Sequence, residues 1–520
     1  MNRPIVCILA AGRGTRAKFS FHKGLLPVIN SPVISQVVEK YPKDLTIVVA
    51  VGFQEEILEE YLTTAHSDRV FEFVHVDPFE GPESSIWVSM AACKHRLQRP
   101  FYLATCDTIV EESMPPLDQD WLGCAPLGDL PPSDFFTVDV LDERVVDAVN
   151  KQAPGFPTAY IGMAGIQDYK AFWREFERKS EDATGEVVRA FLTPGAYRGG
   201  LFARKFTWYD SGTAANYTRI PGARATIEKT IPEITYQLNG RVVKVYQDTQ
   251  KAQQMYHRGD LLAREGVAPQ GLTLNNHVLS YPRVPGCIMY EVESRRSHKD
   301  LWDWAQERLW SLPCAAANFD ESCDLFYRQK TRDRIDMAAN LTNVPTEESL
   351  EINGVKCPPL EEMLEEVPWK VLTNGIPVLF HGDFQYENVI HKEDGGFLLI
   401  DWRNRFSNQP IVGDAYYDLG KLYGCLSLDY KAARLGEIFV DVDEPGSTYG
   451  IGVGRSPILE GLDTELDRWM EKNDYDTGRV HLISALIHLN MSPLHVAPYN
   501  DLLLLRGTLE LAQWKQDQRH

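Results

Sequence analysis

The sequence predicts an N-terminal α/β domain built on a mostly parallel sheet, followed by an α+β unit of two lobes. Its 520 residues exceed one domain of ordinary size, roughly 100–200 residues. Residues 1–222 alternate continuous apolar runs with helical patterns, which is typical of parallel strands covered by helices on both faces. The pattern then changes to a hairpin and mostly helical segments. We therefore expect domains at 1–222 and 223–520, the second with lobes at about 223–291 and 292–520.

The elements of the first domain follow from its apolar runs. Strand-like segments are expected at Ile5–Ala11, Leu45–Val51, Phe71–Val76, Pro100–Ala104 and Tyr160–Ile166. The first is apolar and continuous, and the second is also rich in β-branched residues. Helical periodicity predicts helices at Gln54–Leu62 and Ser85–Arg96. Ligands of such sheets lie beyond the carboxyl ends of the strands, so functional residues are expected there.

A hairpin opens the second domain. Asn239-Gly240 lies between the strand-like runs Ala225–Leu238 and Arg241–Gln247, and Asn-Gly is a strong hairpin signal. Helices are expected to dominate from Asp300 onward. The other elements expected are the helix Thr249–Arg264, a strand pair His277–Tyr281 and Cys287–Glu291, and two short strands around a polar loop within Val378–Ile390 and Gly396–Asp401.

Charge and cysteine content exclude several classes of protein. The chain has 73 Asp and Glu against 53 Lys and Arg, and a net charge of −20 disfavours binding to nucleic acid or anionic membranes. No apolar run approaches the ~18 residues of a membrane span, so we expect no membrane insertion. The nine cysteines are scattered without a CxxC pair. They favour reduced thiols and a cytoplasmic location over a disulfide framework or a zinc site.

A turn of small residues follows the first strand. The segment 9–16, LAAGRGTR, lets the backbone approach phosphate oxygens closely, and its N–H groups can point at an anion. Arg16 can add a bidentate positive charge. On these residues alone, a phosphate loop and an ordinary strand-to-helix turn are equally good interpretations.

This turn, together with HKGLLPV at 22–28 and SPVI at 31–34, resembles the nucleotidyltransferase family that includes sugar-1-phosphate nucleotidyltransferases and phosphocholine cytidylyltransferases. The family signature reads LAAGxGTR, PKxLxPV and PxI, and His22 stands here at the usual proline position. The resemblance implies a Rossmann-like α/β fold. The residues it implies for nucleotide binding are Ala11, Gly12, Gly14 and Thr15, and those for catalysis are Arg16 and Lys23.

Two aspartates extend the resemblance. Asp107 follows the strand-like run YLATC, and Asp210 lies in WYDSGT, which is similar to the family's W-x-D-x-G-T. The family holds Mg²⁺ on this pair, and Mg²⁺ prefers one or two carboxylates beside phosphate oxygens. A single aspartate at a strand end is more often a helix cap or loop residue. The prediction of a metal site therefore depends on both motifs together.

Three further residues are assigned by a looser similarity. Gly81 and Ser84 fall where the family reads the base with a glycine-rich segment. Gly162, within AYIG, resembles a glycine on the acceptor side, and packing between strands is the alternative. The reaction implied is attack of a phosphomonoester on the α-phosphorus of an NTP, with release of pyrophosphate.

The segment 379–390, LFHGDFQYENVI, carries a second motif, and Asp401 follows eighteen residues after Asp383. The pattern resembles the aminoglycoside phosphotransferase and choline kinase family, a branch of the protein-kinase-like fold. It implies that Asp383 orients or deprotonates an acceptor hydroxyl, while Asn388 and Asp401 hold Mg²⁺ on the phosphates of ATP. Asp418, in GDAYYDLGK, is expected to hold the catalytic loop by hydrogen bonds. A polar hairpin, the alternative, does not explain His-Gly-Asp.

The same resemblance assigns residues to ATP and to the acceptor. Lys244, on the second hairpin strand, lies where the ATP-pairing lysine belongs, and Lys229 is its competitor. The helix that follows lacks the glutamate with which the family pairs this lysine. Glu291 fits the hinge that binds adenine. Candidates for an aromatic cage around a cationic acceptor, or alternatively for core packing, are Trp302, Trp304, Trp402 and Trp469.

Two phosphate-transfer modules in one chain suggest consecutive steps on small-molecule substrates. The prediction is a bifunctional enzyme that phosphorylates a hydroxyl compound with ATP and then transfers a nucleoside monophosphate from a second NTP, with CTP expected. Mg²⁺ would serve both steps, and the product would be an activated precursor for surface polysaccharide or glycan. The acceptor stays open between sugar, polyol and amino alcohol, and a homo-oligomer is compatible with the sequence. The alternatives are one active domain beside a degenerate one, and a nucleotide-sensing pseudoenzyme.

Overall fold

The computed structural model describes residues 3–14, 19–149, 155–178, 200–223, 232–311, 314–443 and 447–518. Its residues form two compact units, Met1–Ala252 with Thr273–Arg283, and Gln253–Leu272 with Val284–His520. The hairpin that the sequence assigns to the second domain falls in the first unit, where its strands pack against the helix Glu55–Ala65. The division between the units therefore lies later in the chain than the predicted boundary at 222/223.

The first unit contains seventeen strands and five complete helices among its described residues. In chain order the strands are β1 Ile5–Leu9, β2 Pro27–Val28, β3 Ser31–Pro32, β4 Ile47–Val51, β5 Phe71–His75, β6 Phe101–Thr105, β7 Thr108–Val110, β8 Trp121–Pro126, β9 Thr137–Leu141, β10 Arg144–Val149, β11 Thr158–Ile166, β12 Phe202–Lys205, β13 Trp208–Asp210, β14 Glu233–Leu238, β15 Arg241–Tyr246, β16 Thr273–Asn275 and β17 Val278–Pro282. The helices are α1 Val33–Glu39, α2 Glu55–Ala65, α3 Ile86–Cys93, α4 Tyr169–Arg178 and α5 Ala214–Tyr217, and α6 Thr249–Arg264 begins in this unit and ends in the other.

The main sheet is mixed, which corrects the prediction of a mostly parallel one. Its order is β5-β4-β1-β6-β11-β8-β12-β10-β9. Neighbours β5, β4, β1 and β6 are parallel, as the continuous apolar runs of β4, β1 and β6 predict, whereas β11 runs antiparallel to β6 and β8. Strands β9 and β10 lie at the far edge with many exposed residues. They lack the continuous apolar run of a doubly covered strand, and for that reason the sequence pattern missed them.

Each face of the main sheet buries its own cluster, because side chains alternate along a strand. On one face Cys7 and Leu103 pack with Trp87 of α3 and Phe172 of α4. On the other face Ile8 packs with side chains from α1 and α2. Each fully buried apolar side chain contributes roughly 1.5–3 kcal/mol. These two clusters hold the carboxyl ends of β1 and β6 next to each other.

A second sheet of the first unit has the antiparallel order β14-β15-β17-β16. Asn239 and Gly240 have φ values of 52° and 71°, and they form the predicted two-residue hairpin turn. The prediction that His277–Tyr281 pairs with Cys287–Glu291 is wrong. Strand β17 instead pairs with β15 and with β16, because Asn276 adopts a positive φ and turns the chain one strand earlier.

The second unit is mostly helical among its described residues, as predicted. Its strands are β18 Gly286–Ile288, β19 Leu350–Ile352, β20 Val355–Cys357, β21 Pro377–Leu379, β22 Val389–Lys392, β23 Phe397–Leu399, β24 Val412–Asp414, β25 Ile438–Val442 and β26 Thr448–Val453. Its helices are α7 Arg295–Ala305, α8 Phe319–Asp324, α9 Lys330–Ala338, α10 Leu360–Glu365, α11 Trp369–Thr373, α12 Ala415–Ser427, α13 Tyr430–Arg434, α14 Leu462–Lys472, α15 Thr477–Met491 and α16 Tyr499–Asp517.

Short sheets in this unit present polar loops. Strands β18, β22 and β23 form one antiparallel sheet, and β21 pairs with β24. Helices α12, α15 and α16 pack closely, with Gly420 against Ile483 and Gly507 against Leu489. Within the described ranges, no helix combines the length and the apolar composition that a bilayer crossing requires.

Candidate functional site

A cleft of about 430 Å³ opens at the carboxyl ends of β1 and β6 in the first unit, and we call it the first cleft. The residues predicted from sequence that line it are Ala11, Gly12, Lys23, Ser84, Asp107, Gly162 and Asp210. Thr15 and Arg16 lie outside the described residues. Gly81 is exposed on the loop before α3 and is not among the described residues of the lining. The cleft therefore unites residues from six separate segments of the sequence.

The pairing of β7 with β13 brings the two predicted metal ligands together. Asp210 lies opposite Thr108 in this antiparallel pair. The backbone N–H and the hydroxyl of Ser211 both donate to the carbonyl of Asp107, at 3.1 and 3.0 Å. A Cβ built on Gly212 would lie 3.0 Å from Asp210 Oδ1 and 3.5 Å from Asp107 Oδ2. Both carboxylates thus face the same small space.

Lys23 forms the main electrostatic contact of Asp107. Its Nζ lies 2.7 Å from Asp107 Oδ2, and both side chains are largely buried. Burial raises the pKa of Asp107, but the ammonium of Lys23 and the hydroxyl of Thr105 outweigh that effect and lower it to about 2. Asp107 is therefore ionised throughout the physiological pH range.

Among the described residues, no cationic side chain forms an ion pair with Asp210. It accepts hydrogen bonds from Gly212 N–H at 3.0 Å and from Asn216 Nδ2 at 2.5 Å. Burial and the charge of Asp107 raise the pKa of Asp210 above its usual value. Two carboxylates with one ammonium leave room for further positive charge, and a pair of carboxylates suits Mg²⁺. Among the described residues there is no cluster of three or more His, Cys, Asp or Glu that could hold a metal without phosphate ligands.

The Asp210→Asn variant is expected to unfold at a temperature about 1–3 °C higher than the wild type in metal-free buffer at pH 7. A raised carboxyl pKa means that the ionised form is disfavoured in the folded state, and asparagine removes that charge. The gain should shrink as the pH falls and Asp210 itself takes up a proton. Scanning calorimetry from pH 4 to 8 would measure it, and a lower unfolding temperature at pH 7 would contradict the expectation.

His22 explains how the chain departs from the family signature at this position. Its Nε2–H donates to the carbonyl of Ala10 at 2.6 Å, and its Nδ1 accepts from Gly24 N–H at 3.0 Å. Burial lowers its pKa to about 4, so the ring is neutral. The imidazole thus ties the end of β1 to the short helical turn Lys23–Leu25, which places Lys23 beside the turn of small residues.

Geometry requires glycine at two positions, one in the first cleft and one in the turn of small residues. Gly162 has a φ of 79° at an irregularity of β11, and a Cβ there would lie 2.6 Å from Thr105 Oγ1. Gly14 has a φ of 66°, and a Cβ there would meet the alkyl stem of Lys23 at 3.0 Å. A side chain at either position would displace residues that contact Asp107.

The sequence interpretation missed the aromatic residues of the first cleft. Phe135, Tyr160 and Trp208 line it, and the rings of Phe135 and Trp208 meet edge to face at 5.4 Å. Trp208 lies in WYDSGT, the motif that also contains Asp210, whereas Phe135 precedes an edge strand that the sequence pattern did not reveal. Thr213, in the same motif, caps helix α5 through its hydroxyl.

In the second unit, Asp418 holds the loop that follows β21. Its carboxylate accepts hydrogen bonds from the backbone N–H groups of His381 and Gly382, each at 2.7 Å, and from Trp310 Nε1 at 3.3 Å. Burial raises its pKa to about 6, because the hydrogen bonds only partly offset the loss of water. His381 is buried and neutral, with a pKa lowered to about 4 by burial. This is the role in loop positioning that the sequence predicts for Asp418.

The same loop brings together Asp383 and Asn388, and a backbone hydrogen bond fastens the residue before Asp401 to it. Asn388 Nδ2 donates to Asp383 Oδ2 at 2.8 Å and to the Asp383 carbonyl at 2.9 Å. The N–H of Ile400 donates to the carbonyl of Asn388 at 2.9 Å, so the residue before Asp401 is fastened to the loop. Asp401 itself adopts a φ of 59°. Asp383 and Asn388 thus share one loop, and Asp401 directly follows the residue that is bonded to it.

Lys421 is a residue of this site that the sequence interpretation did not assign. Its Nζ lies 2.9 Å from Asp383 Oδ1, and the lysine side chain is only 8% exposed. Burial raises the pKa of Asp383, but Lys421, His381 and Arg403 outweigh that effect and hold it below its usual value. The available signal was spacing, since Lys421 lies three residues after Asp418 and hence on the same face of α12.

The Asp418→Ala variant is expected to lose about 2–6 kcal/mol of unfolding free energy, because two buried N–H groups would each lose their acceptor. Urea denaturation of the full chain, followed by tryptophan fluorescence, would measure the loss. Asp300→Ala is the matched control, since Asp300 makes an exposed ion pair on α7 at 3.7 Å. Equal stability of the two variants would show that Asp418 does not hold the loop.

The other residues that the sequence assigns to ATP or to the acceptor include Lys244, Lys229, Glu291 and Trp402. Lys244 is buried on β15 in the first unit, and Lys229 lies outside the described residues. Glu291 is exposed, pairs with Lys431 at 3.6 Å, and lines a second cleft of about 480 Å³. Trp402 has a packing role: it is 3% exposed and donates to a backbone carbonyl. That burial leaves it little surface for an acceptor.

Comparison with known proteins finds sequence similarity in the N-terminal part of the chain. Residues 6–114 match the family model of the MobA-like NTP transferase domain. No curated protein gives a significant match. Similar solved structures include a Bacillus anthracis protein assigned as a glucose-1-phosphate thymidylyltransferase, with 18% identity over 44% of this chain and 98% of that one and a TM-score of 0.34. Two others are HddC from Yersinia pseudotuberculosis, with 13% identity over 42% and 98% and a TM-score of 0.32, and the inositol-1-phosphate CTP transferase from T. maritima, with 14% identity over 42% and 93% and a TM-score of 0.33.

Identities and TM-scores of this size carry no inference about substrate. The family model does not reach β13, so the second carboxylate of the first cleft lies outside the matched stretch. The N-terminal part of the chain is therefore similar to MobA-like NTP transferase domains, and the matched stretch contains the turn of small residues, Lys23 and Asp107.

Proposed function

We propose that the first unit transfers a nucleoside monophosphate from an NTP to a phosphorylated acceptor, and that the second unit makes that acceptor by phosphorylating a hydroxyl compound with ATP. The observation that carries the proposal is the convergence of Lys23, Asp107 and Asp210 on the first cleft. The similarity of residues 6–114 to NTP transferase domains supports a nucleoside triphosphate as the substrate there.

The reaction in the first cleft is a displacement at phosphorus. An oxygen of the acceptor phosphate attacks the α-phosphorus of the NTP and forms a new P–O bond. The bond from the α-phosphorus to the oxygen that bridges to the β-phosphate breaks, and pyrophosphate leaves. No proton has to move, so the chain needs no general base here. Alignment and neutralisation of charge supply the rate enhancement.

The residues of the first cleft match these needs. Ala11 and Gly12 leave the backbone open to phosphate oxygens, and Lys23 places an ammonium beside them. Asp107 and Asp210 would hold Mg²⁺, which when bound neutralises charge on the phosphates. Phe135 and Trp208 offer flat apolar surfaces for a base or a sugar ring.

The second unit has the groups for phosphoryl transfer to a hydroxyl. The hydroxyl oxygen attacks the γ-phosphorus of ATP, its proton passes to a carboxylate oxygen of Asp383, and the bond from the γ-phosphorus to the bridging oxygen breaks to release ADP. Asp383 is suited to this because neighbouring cations keep it ionised. Asn388 and Asp401 would hold the metal at this site. The hydrogen bonds from Asn388 to Asp383 and from the loop to Asp418 support the assignment.

Purified full-length protein tests the proposal directly. With ATP, CTP, Mg²⁺ and a panel of small alcohols, sugars and amino alcohols, we expect one acceptor to release ADP and pyrophosphate in equal amounts. Without CTP, the same acceptor should release ADP only. With the acceptor already phosphorylated, pyrophosphate should appear without ADP. Failure of ATP, CTP, GTP and UTP to yield pyrophosphate with any phosphorylated acceptor would refute the transferase assignment.

A further inference from the structure

Four cationic side chains of the second unit act on one another, and we call them the basic cluster: Lys330, Arg334, Arg403 and Lys421. Lys421 contacts Asp383 directly, and the charges of Arg403 and Lys330 also act on that carboxylate. Lys330 and Arg334 lie one turn apart on α9, Arg403 follows Asp401 by two residues, and Lys421 comes from α12. Lys330 Nζ lies 3.9 Å from the centre of the Phe326 ring, and Arg403 Cζ lies 5.1 Å from the same centre. Both cationic groups therefore lie close to the same aromatic ring.

The basic cluster has few carboxylates to balance it. In the part of the chain that the structure describes, Lys421 with Asp383 is the one ion pair within 4 Å that any member makes. Asp333, exposed on α9, acts on Arg334 from a greater distance. Burial and the charges of Arg403, Lys421 and Arg334 lower the pKa of Lys330 well below its usual value.

This local balance is opposite to that of the whole chain, whose net charge is −20. Cations that repel one another in a partly buried place destabilise the folded state unless an anion joins them. The aromatic contacts of Lys330 compensate only in part. The cluster also adjoins the carboxylate that would face the hydroxyl group of an acceptor.

We infer that the acceptor of the second unit carries an anionic group, a carboxylate or a phosphate, near the hydroxyl that is phosphorylated, and that Lys330 and Arg403 bind this group. The inference rests on the proposed function and specifies its substrate class. A cationic amino alcohol would be repelled by the same cluster. A cage of tryptophans for such a cation is not supported either, because Trp302 and Trp402 are buried in packing contacts.

The cluster would not take part in bond making. The hydroxyl proton still passes to Asp383, the γ-phosphoryl still leaves ADP, and Lys330 and Arg403 hold the anionic end by charge-assisted hydrogen bonds. Their contribution is to place the hydroxyl against Asp383. Removing them should therefore raise KM for the acceptor more than it lowers kcat.

Equilibrium binding provides the first test, because it does not depend on turnover. Full-length protein with Mg²⁺ and ADP is titrated by calorimetry with glycerate, glycerol 3-phosphate, glycerol and choline. We expect glycerate or glycerol 3-phosphate to bind at least about 10-fold more tightly than glycerol and choline. The two anionic probes distinguish a carboxylate from a phosphate subsite. Equal or tighter binding of glycerol or choline would overturn the inference.

Variants provide the second test. Lys330→Met and Arg403→Met should each weaken binding of the tighter-binding anionic probe about 10-fold or more. Arg332 is an exposed cation on the same helix as Lys330, and Arg332→Met should leave the affinity for that probe unchanged. ATP affinity, titrated in the same way, should change less than twofold. If the variants instead weaken binding of ATP, the basic cluster binds the nucleotide rather than the acceptor, and the inference is wrong. If no acceptor is phosphorylated with release of ADP but the anionic probes bind as expected, the kinase assignment is wrong while the anion-binding subsite is supported.

Discussion

Replacement of Asp107 by asparagine is expected to lower pyrophosphate release from the first cleft by about 10²–10³-fold. Asp107 is ionised, contacts Lys23 at 2.7 Å and shares its space with Asp210. Asparagine would remove one of the two carboxylates proposed to hold Mg²⁺, and it would leave the ammonium of Lys23 without its anion. The measurement is kcat and KM for pyrophosphate release with an acceptor that already carries its phosphate.

The control for this variant is Asp118→Asn, which changes an exposed aspartate in the same unit. A stability measurement separates catalysis from folding. Because the pKa of Asp107 is lowered to about 2, its ionised form stabilises the fold above the unfolded-state pKa, and that stability is lost as the pH falls through 2. The variant should thus unfold at a lower temperature than the wild type at pH 7, and this difference should disappear below pH 2. Unchanged pyrophosphate release would rule out a metal site on this carboxylate.

Asp383→Asn is expected to lower ATP-dependent phosphorylation of the acceptor by about 10²–10⁴-fold. Asparagine cannot accept the hydroxyl proton, and it cannot neutralise Lys421 at 2.9 Å. The first cleft is a separate site on the first unit, so transfer to a pre-phosphorylated acceptor should keep its wild-type rate. The measurement compares release of ADP and of pyrophosphate from the same preparation.

A double variant, Asp383→Asn with Lys421→Met, distinguishes loss of catalysis from loss of folding. It removes the buried ammonium together with its partner, which is less disruptive than leaving a charge unpaired. We expect it to unfold at the wild-type temperature and still to phosphorylate no acceptor. Nucleotide product formed from an unphosphorylated acceptor by either variant would show that the two reactions are not consecutive.

The parts of the fold set by local patterns were predictable from sequence. Strands β1, β4 and β6 have continuous apolar runs. The Asn239-Gly240 turn has a steric requirement that few dipeptides meet, and α6 was predicted with its observed ends. Asp107 and Lys23 were predictable because each follows a recognisable motif. The hydrogen bonds of Asp418 were also expected.

Features that depend on distant partners could not be predicted in this way. The antiparallel half of the main sheet combines edge strands whose exposed residues hide the apolar period. Strand β17 pairs with a different strand than predicted, because the positive φ of Asn276 forms a turn that the sequence pattern did not indicate. The basic cluster draws Lys330, Arg403 and Lys421 from two helices and a loop, and none of the three stands out among polar neighbours. Only the folded chain brings them to Asp383.

The pairing of β7 with β13 has a consequence for the nascent chain. Asp107 and Asp210 are separated by about a hundred residues, which a ribosome adds in roughly 5–20 s at about 5–20 residues per second. During that interval the first carboxylate is already made, and Lys23 can serve as its internal counter-ion. A fragment ending at residue 114 would carry the whole stretch that resembles an NTP transferase and yet lack Asp210, the second of the two carboxylates proposed to hold Mg²⁺. The proposed metal site is therefore completed late in synthesis.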